Sequence, residues 1–146
     1  MLRSITTLRQ ILDAITIQPP PWASFAAPAG SVAGDNARAT VKPVATHDLP
    51  NQPGKRLTAV VVTYVPGAKS ARHYHAGSVW AYVLSGVIRS QNSATGPAKV
   101  YRAGESFFEP PGSEHVVSEN ASATEPASLL AVHIADAGAR LTTMEK

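Results

Sequence analysis

Residues 67–86 read GAKSARHYHAGSVWAYVLSG, and residues 104–115 read GESFFEPPGSEH. In the first stretch Ser78 to Ser85 is a run rich in β-branched and aromatic residues that stops at Gly86, and residues 87–91 resume it. His73 and His75 lie two apart just ahead of that run. In an extended chain, side chains i and i+2 share a face, so both imidazoles point the same way. In the second stretch Pro110-Pro111-Gly112 makes a rigid corner that turns His115 back toward whatever precedes it.

Outward from these stretches the texture is that of short strands. Residues 57–65 form a β-branched run, and residues 100–102, 106–109, 115–118 and 129–134 are short apolar stretches. Turn signals separate them: Pro66-Gly67, residues 92–97, Ala103-Gly104, Pro110-Pro111-Gly112 and residues 120–126. Several short strands at regular spacing predict an all-β sandwich or barrel. There is no internal repeat and no sign of a second globular domain.

The N-terminal third reads differently. Leu2, Ile5, Leu8, Leu12 and Ile15 recur at spacings of three and four, which predicts a short amphipathic helix ended by Pro19. Residues 19–54 are rich in Pro, Ala, Gly and Asn and predict an extended arm with one strand near residues 40–45. The expected division is a helix and arm over residues 1–50 and a β-barrel over residues 51–146.

Composition narrows the function classes. A chain of 146 residues, 44% hydrophobic and 16% charged, fits one globular domain. Cysteine is absent, which excludes disulfides, thiolate metal ligands and a cysteine nucleophile within this sequence. The net charge of +3 comes from scattered bases with no stripe or cluster, so no nucleic-acid partner is expected. The longest uncharged stretch, residues 14–34, is broken by four prolines and holds no apolar run of the roughly 20 residues a membrane helix needs. Arg9, Gln10 and Asp13 interrupt the only candidate for a signal-peptide core. No membrane partner and a cytoplasmic location are therefore expected.

The spacing of the two stretches resembles the cupin family. The first has Gly67, five residues, His73, one residue, His75 and a run to Gly86. The second has Gly104, five residues, Pro110, one residue, Gly112, two residues and His115. Eight positions agree with the family's two motifs, and the likeness spans residues 57–134. It implies a jelly-roll β-barrel with His73, His75 and His115 gathered inside it as ligands of one divalent metal ion: Fe, Zn, Mn or Ni. Imidazole suits Zn, Cu, Fe and Ni alike, so the residue types do not name the metal.

Two positions depart from the pattern. The family's first motif usually carries a Glu three residues after its second histidine, and here that position is Val79. Its second motif usually ends in Asn, and here the position holds Glu119, with Asn120 next. The three histidines alone would leave an open coordination position. Glu109 is the candidate that compensates, as a fourth ligand or as a general base. A carboxylate in an apolar strand needs a partner or a metal. The competing reading turns Glu109 outward to pair with Arg89 or Arg102. Alternation groups Phe107 with Glu109 and Ser106 with Phe108, and the sequence leaves open which pair faces inward.

Further pocket candidates are Tyr64, Trp80, Tyr82 and Phe108, aromatic residues in strands that otherwise serve core or interface. Gln91 and His133 complete the set, each with a plainer reading as a surface residue and a satisfied core histidine. Three functions compete. A metal-dependent enzyme would act on a small oxygen-bearing organic substrate, by oxygenase chemistry or as an isomerase or lyase. A non-catalytic domain of the same build would bind or sense a small molecule. A metal serving only as a structural staple is the third. An apolar sheet surface and a free sheet edge lead us to expect a homodimer.

Overall fold

The β-branched run that begins near residue 57 lies at the centre of the architecture. The computed structural model describes residues 39–145, and the predicted N-terminal helix and most of the arm lie outside them. Ten strands make up the described chain: β1 (Ala39–Asp48), β2 (Lys55–Tyr64), β3 (His73–His75), β4 (Ser78–Ser85), β5 (Val87–Asn92), β6 (Lys99–Arg102), β7 (Ser106–Glu109), β8 (Glu114–Asn120), β9 (Ala127–Asp136) and β10 (Thr142–Met144). Among the described residues there is no helix able to cross a membrane.

The strands form two five-stranded sheets, β1-β2-β9-β4-β7 and β10-β3-β8-β5-β6, and every pairing is antiparallel. The all-β expectation holds. The strand expected near residues 40–45 runs from Ala39 to Asp48 and pairs along the length of β2, so part of the expected arm is sheet edge. His47 is an exposed residue of that strand.

The core lies between the sheets. Val79, Ala81 and Val83 of β4 point into it and are 1% exposed or less, beside Ile88, Leu129 and Tyr64. Small residues fill the inward positions of β4, while Trp80 and Tyr82 take the outer face. Gly86 joins β4 to β5 at a φ of 70°, and a Cβ there would meet Pro126 O at 2.5 Å. Both the turn and the close strand crossing exclude a side chain at that position. β10 had no signal beyond Thr142 and Thr143, yet it closes the second sheet against β3 in the register Thr142↔His75.

Candidate metal centre

Strand alternation and cross-strand register place the site. β3 is only three residues long, and its pattern of buried, exposed, buried sends His73 and His75 inward and Tyr74 out. His115 on β8 lies directly opposite His73. The nitrogens that the three imidazoles offer lie within 4.8 Å of one another, close enough to hold one metal ion. The opposite sheet contributes Glu109 from β7, Val79 from β4 and His133 from β9. These three stand in one row, since Val79 pairs with Glu109 on one side and His133 on the other.

The histidine rings are held by their other nitrogens. His73 Nδ1 lies 2.7 Å from Ala71 O, and His75 Nδ1 lies 3.2 Å from Leu141 O and 3.3 Å from Thr142 Oγ1. A carbonyl only accepts, so Nδ1 carries the proton and Nε2 presents its lone pair to the site. This is how protein structures commonly orient metal-binding imidazoles. His115 Nε2 lies 2.9 Å from Ser90 Oγ, and its Nδ1 faces Glu109 Oε2 at 3.1 Å.

Glu109 is 2% exposed. Its Oε2 accepts a hydrogen bond from Asn92 Nδ2 at 3.3 Å and lies 3.8 Å from His75 Nε2. Burial pushes its carboxyl up to about 7, against the smaller opposing effect of Asn92. The imidazoles move the other way. Burial, with the neighbouring histidines, brings His75 down to about 4 and His115 down to about 3. Burial also lowers His73 and His133. In the close Glu109–His115 contact the imidazole is thus neutral near neutral pH while the carboxyl is only partly ionised, because the interior disfavours both charges. A carboxylate buried among imidazoles that resist protonation lacks a cation. A divalent ion on this donor set supplies one, so the residues present fit a metal.

The site opens into a cavity of about 140 Å³ between the sheets. Tyr64, Glu109 and His133 line it with the three histidines. Four expectations are corrected. Trp80, Phe108, Tyr82 and Gln91 do not line the cavity. Trp80 and Phe108 are 43% and 50% exposed, and Trp80 stacks on Tyr82 along the outer face of β4. On β4 the inward positions are held by Val79 and Ala81, so alternation turns Trp80 and Tyr82 outward. On β5 the inward residues are Ser90 and Asn92, which share the parity of buried Ile88, so Gln91 falls on the other side. Arg89, offered as an outside partner for Glu109, instead pairs with Glu119 at 3.2 Å. Asn120 is buried and donates to Val65 O and Glu125 O, a structural role at the end of β8. Ser90, Asn92, Ser70, Ser118 and Thr142 went unnoticed in the sequence. Only the parity set by Ile88 could have pointed to the first two.

The family model for the cupin domain matches residues 60–133, half of the chain. The chain belongs to the cupin family. Among solved structures this cupin is similar to a cupin-like protein from Thermotoga maritima, at 19% identity and a TM-score of 0.60 over 80% of this chain and 84% of that one. It is similar to the DMSP lyase DddQ from Ruegeria pomeroyi at 20% identity and a TM-score of 0.53, over 60% of this chain and 42% of that one. Oxalate decarboxylase from Bacillus subtilis, a protein with Mn(II) centres, aligns at 21% identity and a TM-score of 0.54 over 77% of this chain and 29% of that one. The chain therefore spans less than half the length of the lyase and of the decarboxylase. Among curated proteins no sequence matches it.

Proposed function

We propose that this cupin is a metal-dependent enzyme acting on a small oxygen-bearing organic substrate, with His73, His75, His115 and Glu109 holding one divalent ion. The observation that carries the reading is the Glu109 carboxylate, buried within 3.1 Å of His115 and facing the cavity. An Fe(II) ion there would supply the oxygenase chemistry first expected, and Mn, Zn or Ni would supply Lewis-acid chemistry of the isomerase or lyase kind. The chain's own residues do the rest. His73 and His75 are fixed by backbone carbonyls, Asn92 steadies Glu109, and mostly apolar side chains line the cavity. The similarity to a lyase and to a decarboxylase with Mn(II) centres supports the non-redox branch as much as the oxygenase branch. A purely binding role would suit a Glu109 turned outward, and it is turned in.

We also read the domain as a homodimer. Trp80, Phe108 and Ile134 expose large apolar surfaces on the outer face of the first sheet, the kind of patch a second copy covers. The test of the functional reading is elemental analysis of untagged protein, followed by turnover screens of small organic acids with and without O₂. One equivalent of ion per chain with turnover supports it. Protein that neither retains nor binds a divalent ion overturns it.

A further inference from the structure

Away from the imidazoles, the cavity holds a second polar group that the metal reading does not use. Tyr64 Oη lies 2.9 Å from Ser70 Oγ and 2.8 Å from Ser118 Oγ, and all three residues line the cavity. Tyr64 reaches from β2 to β8 in the opposite sheet. Apolar residues, among them Val60, Val62, Ala81, Leu129 and Ala131, make up the walls.

We propose that Tyr64, Ser70 and Ser118 form a ligand subsite, and that the ligand is a small monocarboxylate carrying a neutral hydrogen-bond acceptor at its far end. The proposal rests on the metal-centre reading, which fixes the other end of the ligand.

Four observations converge on this chemistry. The first is a hydrogen count. Three hydroxyls carry three hydrogens, and the two bonds among them use two. One O–H is left to donate, with no acceptor among the described residues. Burial holds the Tyr64 phenol above its usual range, so it stays a neutral donor.

The second is distance. Ser118 and His115 stand opposite Ser90 and Asn92 across a bulge in β8, so they lie about two residues, roughly 7 Å, apart along the strand. A short chain of three or four carbons, both functional ends included, spans that interval. The third is volume. The cavity measures about 140 Å³, and an apolar cavity of about 150 Å³ accommodates benzene. The ligand is therefore of that order, a handful of non-hydrogen atoms.

The fourth is charge. Three neutral imidazoles, one carboxylate and one divalent ion sum to a single positive charge, which matches one carboxylate on the ligand. No Lys or Arg lines the cavity among the described residues. A second carboxylate at the hydroxyl end would be buried without a partner, at a high cost. A ketone, ester or amide oxygen would not.

The test loads the full chain with Mn²⁺ and measures binding of 4-oxopentanoate, pentanoate and pentanedioate by calorimetry. One neutral hydrogen bond predicts that 4-oxopentanoate binds about three- to tenfold tighter than pentanoate. Pentanedioate should bind at least about tenfold more weakly than 4-oxopentanoate. Tyr64→Phe combined with Ser70→Ala and Ser118→Ala, which removes every hydroxyl of the group, should bring 4-oxopentanoate to within about twofold of pentanoate, with metal content and pentanoate affinity unchanged. Metal uptake with no preference among the acids, or a preference that survives the triple substitution, overturns the subsite alone. So does metal uptake with no acid bound. A chain that takes up no metal overturns the metal-centre reading, and this inference with it.

Discussion

Val79 and Glu109 are direct cross-strand partners on β4 and β7, and both side chains point into the barrel. The family's usual carboxylate position is Val79, and the carboxylate stands on the neighbouring strand at the same level. Across a sheet, directly opposed Cβ atoms lie about 4.5–5.5 Å apart. A Glu side chain spans that offset, so a carboxylate can reach the same imidazoles from either strand.

This exchange is testable by reversing it. Glu109→Gln keeps the side-chain volume and removes the charge. It should leave the fold intact and weaken metal binding by at least about tenfold, measured by competition with a chelator. Val79→Glu combined with Glu109→Val should restore much of that affinity. If Glu109→Gln binds metal within about twofold of the parent, the carboxylate is not part of the centre.

Of the four buried histidines, three are assigned to the metal in our proposal and His133 is left out. His75→Ala should abolish tight binding, because it removes a ring fixed by Leu141 and Thr142. His133→Ala should retain one equivalent of metal. His133 packs its ring 5.0 Å from His75 but lies outside the cluster of nitrogens that converge. Elemental analysis of the two variants decides. Loss of metal in His133→Ala would add a ligand to the set.

Metal-free protein should lose stability as pH falls from about 6.5 toward about 4. Four buried histidines have lowered affinities for protons, with His75 near 4 and His115 near 3. Below their ordinary value of about 6.5 the unfolded chain binds protons that the folded chain refuses, so stability drops with pH. Glu109 works against this. Raised to about 7, it costs stability at higher pH, and that cost is relieved as pH falls through about 7 toward its unfolded value. Four groups oppose one, so the net slope is positive between about 4.5 and 6.5. Denaturant melts of metal-free protein across that range give the sign, and a flat or inverted profile would contradict the burial of the cluster.

A homodimer through the outer face of the first sheet predicts twice the chain mass by light scattering at micromolar concentration. Trp80→Lys with Phe108→Lys should shift the protein to monomer while its metal content stays the same. A monomeric parent would leave the exposed aromatic patch to some other partner.

The strands that border the site were largely legible. Ser78–Ser85 and Ser106–Glu109 match β4 and β7 to the residue, because turn signals bracket strong β-formers. The three clustered histidines were legible too, through spacing and strand parity. What could not be read was which parity faces inward. Phe108 and Glu109 are adjacent, so only one of them can line a cavity, and both were candidates. The structure turns Glu109 in and Phe108 out, and alternation fixes the rest of β7 once that is known. β10 was invisible because two threonines are little signal, yet its pairing with β3 holds His75. The Val79–Glu109 register depends on β4 pairing with β7 across some 30 residues, which no local pattern specifies.

The pairing of β2 with β9, residues 55–64 against 127–136, has a consequence in time. On a ribosome adding 5–20 residues per second, His75 emerges roughly 2–8 s before His115, which lies 40 residues later. The sheet that carries Glu109 and Val79 is not closed until β9 exists, and β10 comes later still. For those seconds the nascent chain shows only two of the three clustered imidazoles, a poor trap for any ion. Choice of metal therefore falls to the finished barrel, after synthesis has passed the last strand, and follows whichever ions the folded protein meets.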